Sequence, residues 1–416
     1  MNYFGNTITF LIGSFVVFFP IKKVITGKWN IFHLCCISFY IMQIVPIAIK
    51  NFFGTSQTLE IYPKMYLAMT DKTTELLYNL FVISIIIILY FMSYRIPTKR
   101  QQQFHINKKN RMKRLSTIFG FGMFSILIGV FFAPKPQIYF SFSYFYTHHF
   151  IESEPIYLYH KTYMLYFSLL TFLCIMLFYL LNPKKHYTYL VYIAIFLMTW
   201  INGKRTMMTL ALIGILFIDI KKETYSKKML IFIFKTLFFV GIIFWYFIFY
   251  GNETGKMSSL PFTHLYSIYF ARMSNVEVSI YDKLYDNDMM DYTGQSVLYD
   301  LFFWIPRSLW KNKPVLYSKY HTVYVMGYDD VFTNWQFQTN IWSEYISNFG
   351  ILGSLIAVFV LFIIVWISEN SRSKVVYLSG MLFSVLYTMY GFESILQYIG
   401  IFWIIAVLTQ KYKIKL

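Results

Sequence analysis

The stretch "LYNLFVISIIIILYFMSYRIPTKR" (residues 77–100) joins an apolar run without a formal charge, 77–94, to a segment that opens on Arg95 and continues through Lys99 and Arg100. A run of this length matches the ~20 residues an α-helix needs to cross the hydrocarbon core of a bilayer. Cations collected at one end mark the side that stays in the cytoplasm.

The rest of the chain repeats this unit. Its 416 residues are 57% hydrophobic and 22% aromatic, and only 13% are charged, where a soluble domain carries about 25%. A large core does not explain the missing charge, because a core still needs a polar skin. Further apolar runs fall near 4–20, 31–49, 115–133, 163–181, 187–201, 206–220, 229–250, 341–367, 375–391 and 394–409. The expectation is an all-α, polytopic integral membrane protein of about eleven transmembrane helices, in a range of about ten to thirteen. The start, "MNYFGNTITFLIGSFVVFFP", lacks a basic n-region and a small-residue cleavage site, so it reads as a first membrane helix. Cys35, Cys36 and Cys174 lie inside apolar runs and in no metal or redox spacing.

Alternate loops carry the cations: Lys22, Lys23 and Lys28, then the cluster from Arg95 to Arg114, then Lys184 and Lys185. Lys221, Lys222, Lys227 and Lys228 follow, then Arg372 and Lys374, and finally Lys411, Lys413 and Lys415. They predict an outside N-terminus and a cytoplasmic C-terminus. The net charge of +18 is therefore mainly a topology signal, and nucleic acid is not an expected partner.

Between the eighth and ninth runs lies one long external segment, 251–340, far beyond ordinary connection lengths. The expected organisation is an N-terminal bundle over 1–250 with about eight helices, the loop over 251–340, and a C-terminal bundle over 341–416 with about three. Within the loop, "HLYSIYFARMSNVEVSIYDKLYD" (264–286) has helical spacing, and "GQSVLYDLFFWIP" (294–306) is an amphipathic run suited to the membrane interface.

Five segments have the chemistry of an anion or sugar site. "NGKR" (202–205) places Lys204 and Arg205 at the outer side, against the charge trend. Such cations either snorkel to headgroups or hold a phosphate, where Arg supplies bidentate donors and Lys a point charge. "WIPRSLWKNKP" (304–314) sets Arg307, Lys311 and Lys313 beside Trp304 and Trp310, rings that anchor at an interface or stack on sugars. "NIWSEYISNFGILG" (340–353) spaces Glu344 and Asn348 four apart on one helical face, beside Trp342. Glu344 is either a helix-dipole residue or a general base. His321 in "SKYHTVYVMG" is the other base candidate, and Arg272 in "FARMSN" is a further phosphate ligand. The loop 51–75 holds only the scattered acids Glu60, Asp71 and Glu75, and the adjacent pair Asp329–Asp330 lacks Asp-x-Asp spacing. No metal and no cofactor are expected.

In this order, Gly203 to Arg205, "IPRSLWKNKP" (305–314) and "SEYISNFGILG" (343–353) resemble the bacterial oligosaccharide repeat-unit polymerases, which build O-antigen and capsular polysaccharide. The second is similar to that family's Pro-Arg-x-x-Trp-x-x-Lys-Pro segment. The third is similar to its Gly-Glu-x-Tyr-x-Asn-Phe-Gly entry into a helix, with Ser343 where glycine is usual. The resemblance covers roughly the second half of the chain. It implies a GT-C-like membrane glycosyltransferase architecture in the bacterial cytoplasmic (inner) membrane, acting at its outer face on undecaprenyl-diphosphate-linked oligosaccharides. It further implies diphosphate binding by Arg205, Arg307, Lys204, Arg272 and Lys313, proton transfer by Glu344 or His321, and sugar binding by Trp304, Trp310, Asn348 and Trp342. A chain-length regulator and a repeat-unit flippase are the implied protein partners. An O-antigen ligase-like transferase, a lipid-linked oligosaccharide flippase and a non-catalytic envelope component are the alternatives.

Overall fold

The computed structural model describes residues 3–54, 60–96, 111–140, 154–181, 188–202, 272–327 and 336–411, with isolated positions between 211 and 242. Among these residues all regular structure is helical. Tyr3–Ile25, Ile31–Phe53, Lys72–Arg95 and Gly353–Asn370 are long and apolar enough to cross a membrane. Shorter apolar helices cover Leu115–Phe131, Tyr166–Tyr179, Tyr189–Ile201, Val375–Tyr387 and Ile401–Gln410. The runs predicted at 206–220 and 229–250 lie outside the fully described residues.

The outer faces of these helices explain the composition. Phe4 is 78% exposed, Phe15 68% and Phe91 64%. Rows of exposed aromatic side chains are unfavourable in water and neutral against lipid tails. The chain is embedded in a bilayer, and its apolar surplus lies on the surface as well as in the core.

The chain forms two compact units, Arg100–Ser259 and the combination of Met1–Lys99 with Leu260–Leu416. Within the former, Arg111–Phe131 and Leu165–Leu181 pack so closely at Gly122 that a Cβ there would meet the Cβ of Cys174 at 2.6 Å. Thr171 Oγ1 donates to the Gly122 carbonyl at 2.8 Å across this contact.

Within the latter unit, the segment predicted as one span from 341 to 367 is two helices. Ile341–Phe349 opens on Asn340, whose side chain accepts from the Ser343 N–H at 2.8 Å while Ser343 Oγ donates to the Asn340 carbonyl. It ends at Gly350, which has φ +71°, a conformation side chains with a Cβ rarely adopt. The membrane helix begins afresh at Gly353. The span is therefore shorter than expected, and Glu344 stands on a separate buried helix.

The described part of the long segment 251–340 shares its core with the helix Pro63–Thr70. Met65, Ala68 and Met69 from Pro63–Thr70 pack with Val278, Met289, Tyr317, Val325 and Phe337. Lys64 pairs with Asp286, which also accepts from the Tyr324 hydroxyl. Of the helical spacing predicted over 264–286, residues 264–271 lie outside the described residues and the rest forms Met273–Tyr281 followed by a π-helical turn to Asp286. The amphipathic run forms the helix Gln295–Phe302, which buries Gln295, Ser296 and Asp300 and exposes Leu298, Leu301 and Phe302. That division suits a helix lying in the membrane interface.

Candidate functional site

Three segments meet around a polar cavity of about 190 Å³ lined by Asp300, Tyr317, Ser318, Gln336, Phe337, Gln338, Thr339, Glu344 and Gly391. Gln295–Phe302 supplies Asp300, Tyr317–Met326 supplies Tyr317 and Ser318, and Ile341–Phe349 supplies Glu344. The lining is carboxyl, amide, hydroxyl and ring, a set that suits a neutral, hydroxyl-rich ligand.

Glu344 is 2% exposed. Ser296 Oγ donates to its Oε1 at 2.8 Å, the Phe392 backbone N–H donates to the carboxyl, and Asp300 is hydrogen-bonded to it through its own carboxyl. Burial raises the pKa of Glu344, and these three hydrogen bonds pull it back. Two carboxyl groups sharing a hydrogen bond hold a proton between them. Sequence reasoning missed Asp300 and Ser296; the one local trace is their spacing of four, which puts both on one face of the amphipathic helix.

Asn348 is buried on the same helix as Glu344. Its Nδ2 donates to Ser296 Oγ at 2.8 Å and to the Glu344 carbonyl at 2.7 Å, so both amide hydrogens are taken. Trp342, expected at a sugar, is fully buried. Its ring meets Phe39 edge-on at 5.2 Å and its Nε1 donates to the Thr388 carbonyl at 3.2 Å. A ring closed in this way offers no face to a ligand. Trp304 is 67% exposed, and Trp310 is partly covered by Phe302.

His321 is buried between Tyr317 and Phe337, behind the cavity wall. Burial lowers its pKa to about 3, and neither ring nitrogen makes a hydrogen bond of good geometry. A neutral imidazole with no open face is poorly placed to take a proton from a ligand. Of the two base candidates, only Glu344 is on the cavity wall.

The cations are distributed rather than gathered. Arg272 is buried and donates to the carbonyl of Gln338 at 3.1 Å and to its side-chain oxygen at 2.8 Å, with its guanidinium 5.5 Å from the Tyr390 ring centroid. It stands one residue behind the cavity lining. Arg307 is exposed and donates to the carbonyls of Lys313 and Pro314. Lys313 is buried, donates to the carbonyls of Phe303 and Ile305, and lies 4.9 Å over the Tyr299 ring. Lys313 thus pins the loop that presents Arg307. Lys204 and Arg205 lie outside the described residues. Among the described residues no group of three or more His, Cys, Asp and Glu side chains forms a metal site.

A second polar cluster, unread in the sequence, is buried in the same unit. Lys50 Nζ lies 2.8 Å from Glu277 Oε1 and 3.4 Å from Glu75 Oε1. Asn6 donates to Glu75 at 2.7 Å and accepts from Asn79 at 2.7 Å. Burial raises Glu277 to about 7, against the pull of Lys50 and with a further push from Glu75.

No protein-family profile matches the chain, and no curated protein or solved structure shows significant similarity to it.

Proposed function

We propose that this chain is a membrane glycosyltransferase that polymerises undecaprenyl-diphosphate-linked oligosaccharide repeat units at the outer face of the bacterial cytoplasmic membrane. The observation that carries the reading is Glu344, a buried carboxyl on the wall of a cavity lined mostly by polar residues, within a segment that resembles the polymerases in sequence. The acceptor's sugar hydroxyl enters the cavity and loses its proton to Glu344. Its oxygen bonds to the anomeric carbon of the donor chain, the bond from that carbon to the diphosphate oxygen breaks, and undecaprenyl diphosphate leaves with the electron pair.

The leaving group carries its own negative charge, so fixed cations stabilise it where charge develops. Arg307 commits N–H groups to two loop carbonyls and keeps others for a phosphate oxygen. Arg205 and Lys204 complete the proposed diphosphate site, with Arg272 and Lys313 holding its surroundings. Exposed Trp304 is the sugar-stacking ring of the loop. The eleven-span topology, with the N-terminus outside and the C-terminus in the cytoplasm, belongs to this proposal. So do a chain-length regulator and a flippase as partners. The shared core of 63–70 with the long loop supports that topology, since segments packed together lie on one side of a membrane.

Purified full-length protein given an undecaprenyl-diphosphate-linked oligosaccharide, with a chelator present, is expected to produce a ladder of multiples of the unit. A single transferred product points instead to a ligase-like enzyme. Absence of product with intact lipid translocation points to a flippase.

A further inference from the structure

The stretch 336–339 lines the cavity along its whole length, and its backbone is fastened at three successive residues. The Phe337 N–H donates to Thr322 Oγ1 at 2.8 Å. The Gln338 carbonyl accepts from Arg272 Nη1 at 3.1 Å and from Asn275 Nδ2 at 2.9 Å, and the Thr339 carbonyl accepts from the Gly391 N–H at 3.1 Å. A stretch held in this way presents its side chains at fixed positions.

Two of those side chains are primary amides, and each commits its oxygen to a neighbour. Gln338 Oε1 accepts from Arg272 Nη2 at 2.8 Å. A guanidinium has no acceptor, so this amide cannot be turned round. Gln336 Oε1 accepts from Ser318 Oγ at 2.7 Å. With both oxygens engaged, the wall offers a ligand the N–H groups of two amides. A sugar hydroxyl must also place a hydrogen of its own, whereas a carbonyl oxygen accepts two hydrogen bonds and has none to place.

We propose that Gln336 and Gln338 form a subsite for the acetamido group of an N-acetylated sugar, its carbonyl oxygen accepting from the amide N–H groups and its methyl resting against Phe337. The inference rests on the proposed function in one respect: this sugar belongs to the lipid-linked oligosaccharide whose hydroxyl Glu344 deprotonates. Phe337 lines the same cavity and gives the methyl an apolar neighbour. A carboxylate-bearing sugar would satisfy the same donors, but it would bring its charge beside the carboxyls of Glu344 and Asp300 on the cavity wall, and like charges repel. The uncharged acetamido group is the better match. Arg272 acts through Gln338 as a positioning residue, since it fixes which end of that amide is left for a ligand.

Saturation-transfer NMR on the purified full-length protein reads the subsite without turnover, using the methyl glycosides of N-acetylglucosamine and N-acetylgalactosamine, of glucose and galactose, and of glucuronic acid. Saturation is expected at the acetyl methyl of at least one acetamido sugar, with the parent hexoses and the uronate bound about tenfold more weakly. Gln338→Glu keeps an acceptor for Arg272 and removes the N–H donors, so it should lose about tenfold in acetamido affinity at an undiminished thermal midpoint. Gln336→Glu makes the same change at the second amide and should act in the same direction. Acetamido binding that is lost in Gln338→Glu, from a wild type that forms no polymer, supports the subsite and refutes the polymerase reading. Equal binding of acetamido and parent sugars, tighter binding of the uronate, or acetamido binding unchanged in Gln338→Glu overturns the subsite, and a polymer ladder from the same preparation would then leave the polymerase reading standing.

Discussion

Two pairs of buried acids occur in the same compact unit, and they keep different company. Glu75 and Glu277 share the ammonium group of Lys50, with asparagines filling in around them. Glu344 is matched by a serine hydroxyl, a backbone N–H and the carboxyl of Asp300. Only the second pair lines the cavity. Burial of an acid is thus not by itself a mark of function. An acid beside a fixed cation holds helices together, whereas one on a cavity wall is within reach of a ligand, as the proposed transfer requires.

The contrast breaks most visibly at Lys50. Lys50→Met removes the ammonium group that two buried carboxyls share and is expected to cost about 3–5 kcal/mol, read as a fall in the thermal midpoint of the purified protein. Adding Glu277→Gln to that variant should restore part of the loss. A Lys50→Met protein as stable as wild type would remove the structural role given to the first cluster.

The pH dependence of stability separates the clusters next. Glu277 titrates at about 7 in the fold and at about 4.3 in an unfolded chain, so the folded state binds its proton more tightly. The stability it contributes is complete below pH ~4 and is lost as the pH rises through 7, a span of up to ~3.7 kcal/mol. Glu277→Gln should flatten this slope in melts taken between those limits. An unchanged slope assigns it to other groups.

Smaller effects sharpen the second pair. Ser296→Ala removes one donor from Glu344 and should slow polymerisation about tenfold, with the thermal midpoint nearly unchanged; equal rates in the two proteins would discount the relay from Asn348. Asn340→Ala removes the cap of Ile341–Phe349 and should cost about 1 kcal/mol, seen in the melt rather than in the rate.

The parts legible in the sequence are those written in contiguous residues. The run 77–94 reads as a membrane helix because nothing in it carries a formal charge, and the helix Lys72–Arg95 follows. The break at 350 was hidden, because Ile341 to Ile367 stays apolar and periodic across it. Its physical signal is the pair Gly350 and Gly353. The first takes a positive φ, and the second lies so close to Tyr345 that a Cβ would sit 2.1 Å from its carbonyl oxygen.

The site divides in the same way. Glu344 and Asn348 share a face by their spacing of four, and the structure bonds them through the helix. Asp300 and Ser296 come from a different helix, 44 or 48 positions away in the chain, and spacing within a segment does not encode which segment it meets. Lys50 and Glu277 are separated by 227 positions, and each alone reads as a stray charge. Trp342 looked like a sugar platform because aromatic residues serve both cores and carbohydrate sites; only its full burial decides between them.

The most direct measurement compares Glu344→Gln with Glu277→Gln in one polymerisation assay at neutral pH, using the undecaprenyl-diphosphate-linked oligosaccharide as substrate and a thermal melt as control. The account predicts that Glu344→Gln loses the ladder, by at least about 10²-fold, while keeping its thermal midpoint, and that Glu277→Gln still makes polymer. A full ladder from Glu344→Gln would contradict it.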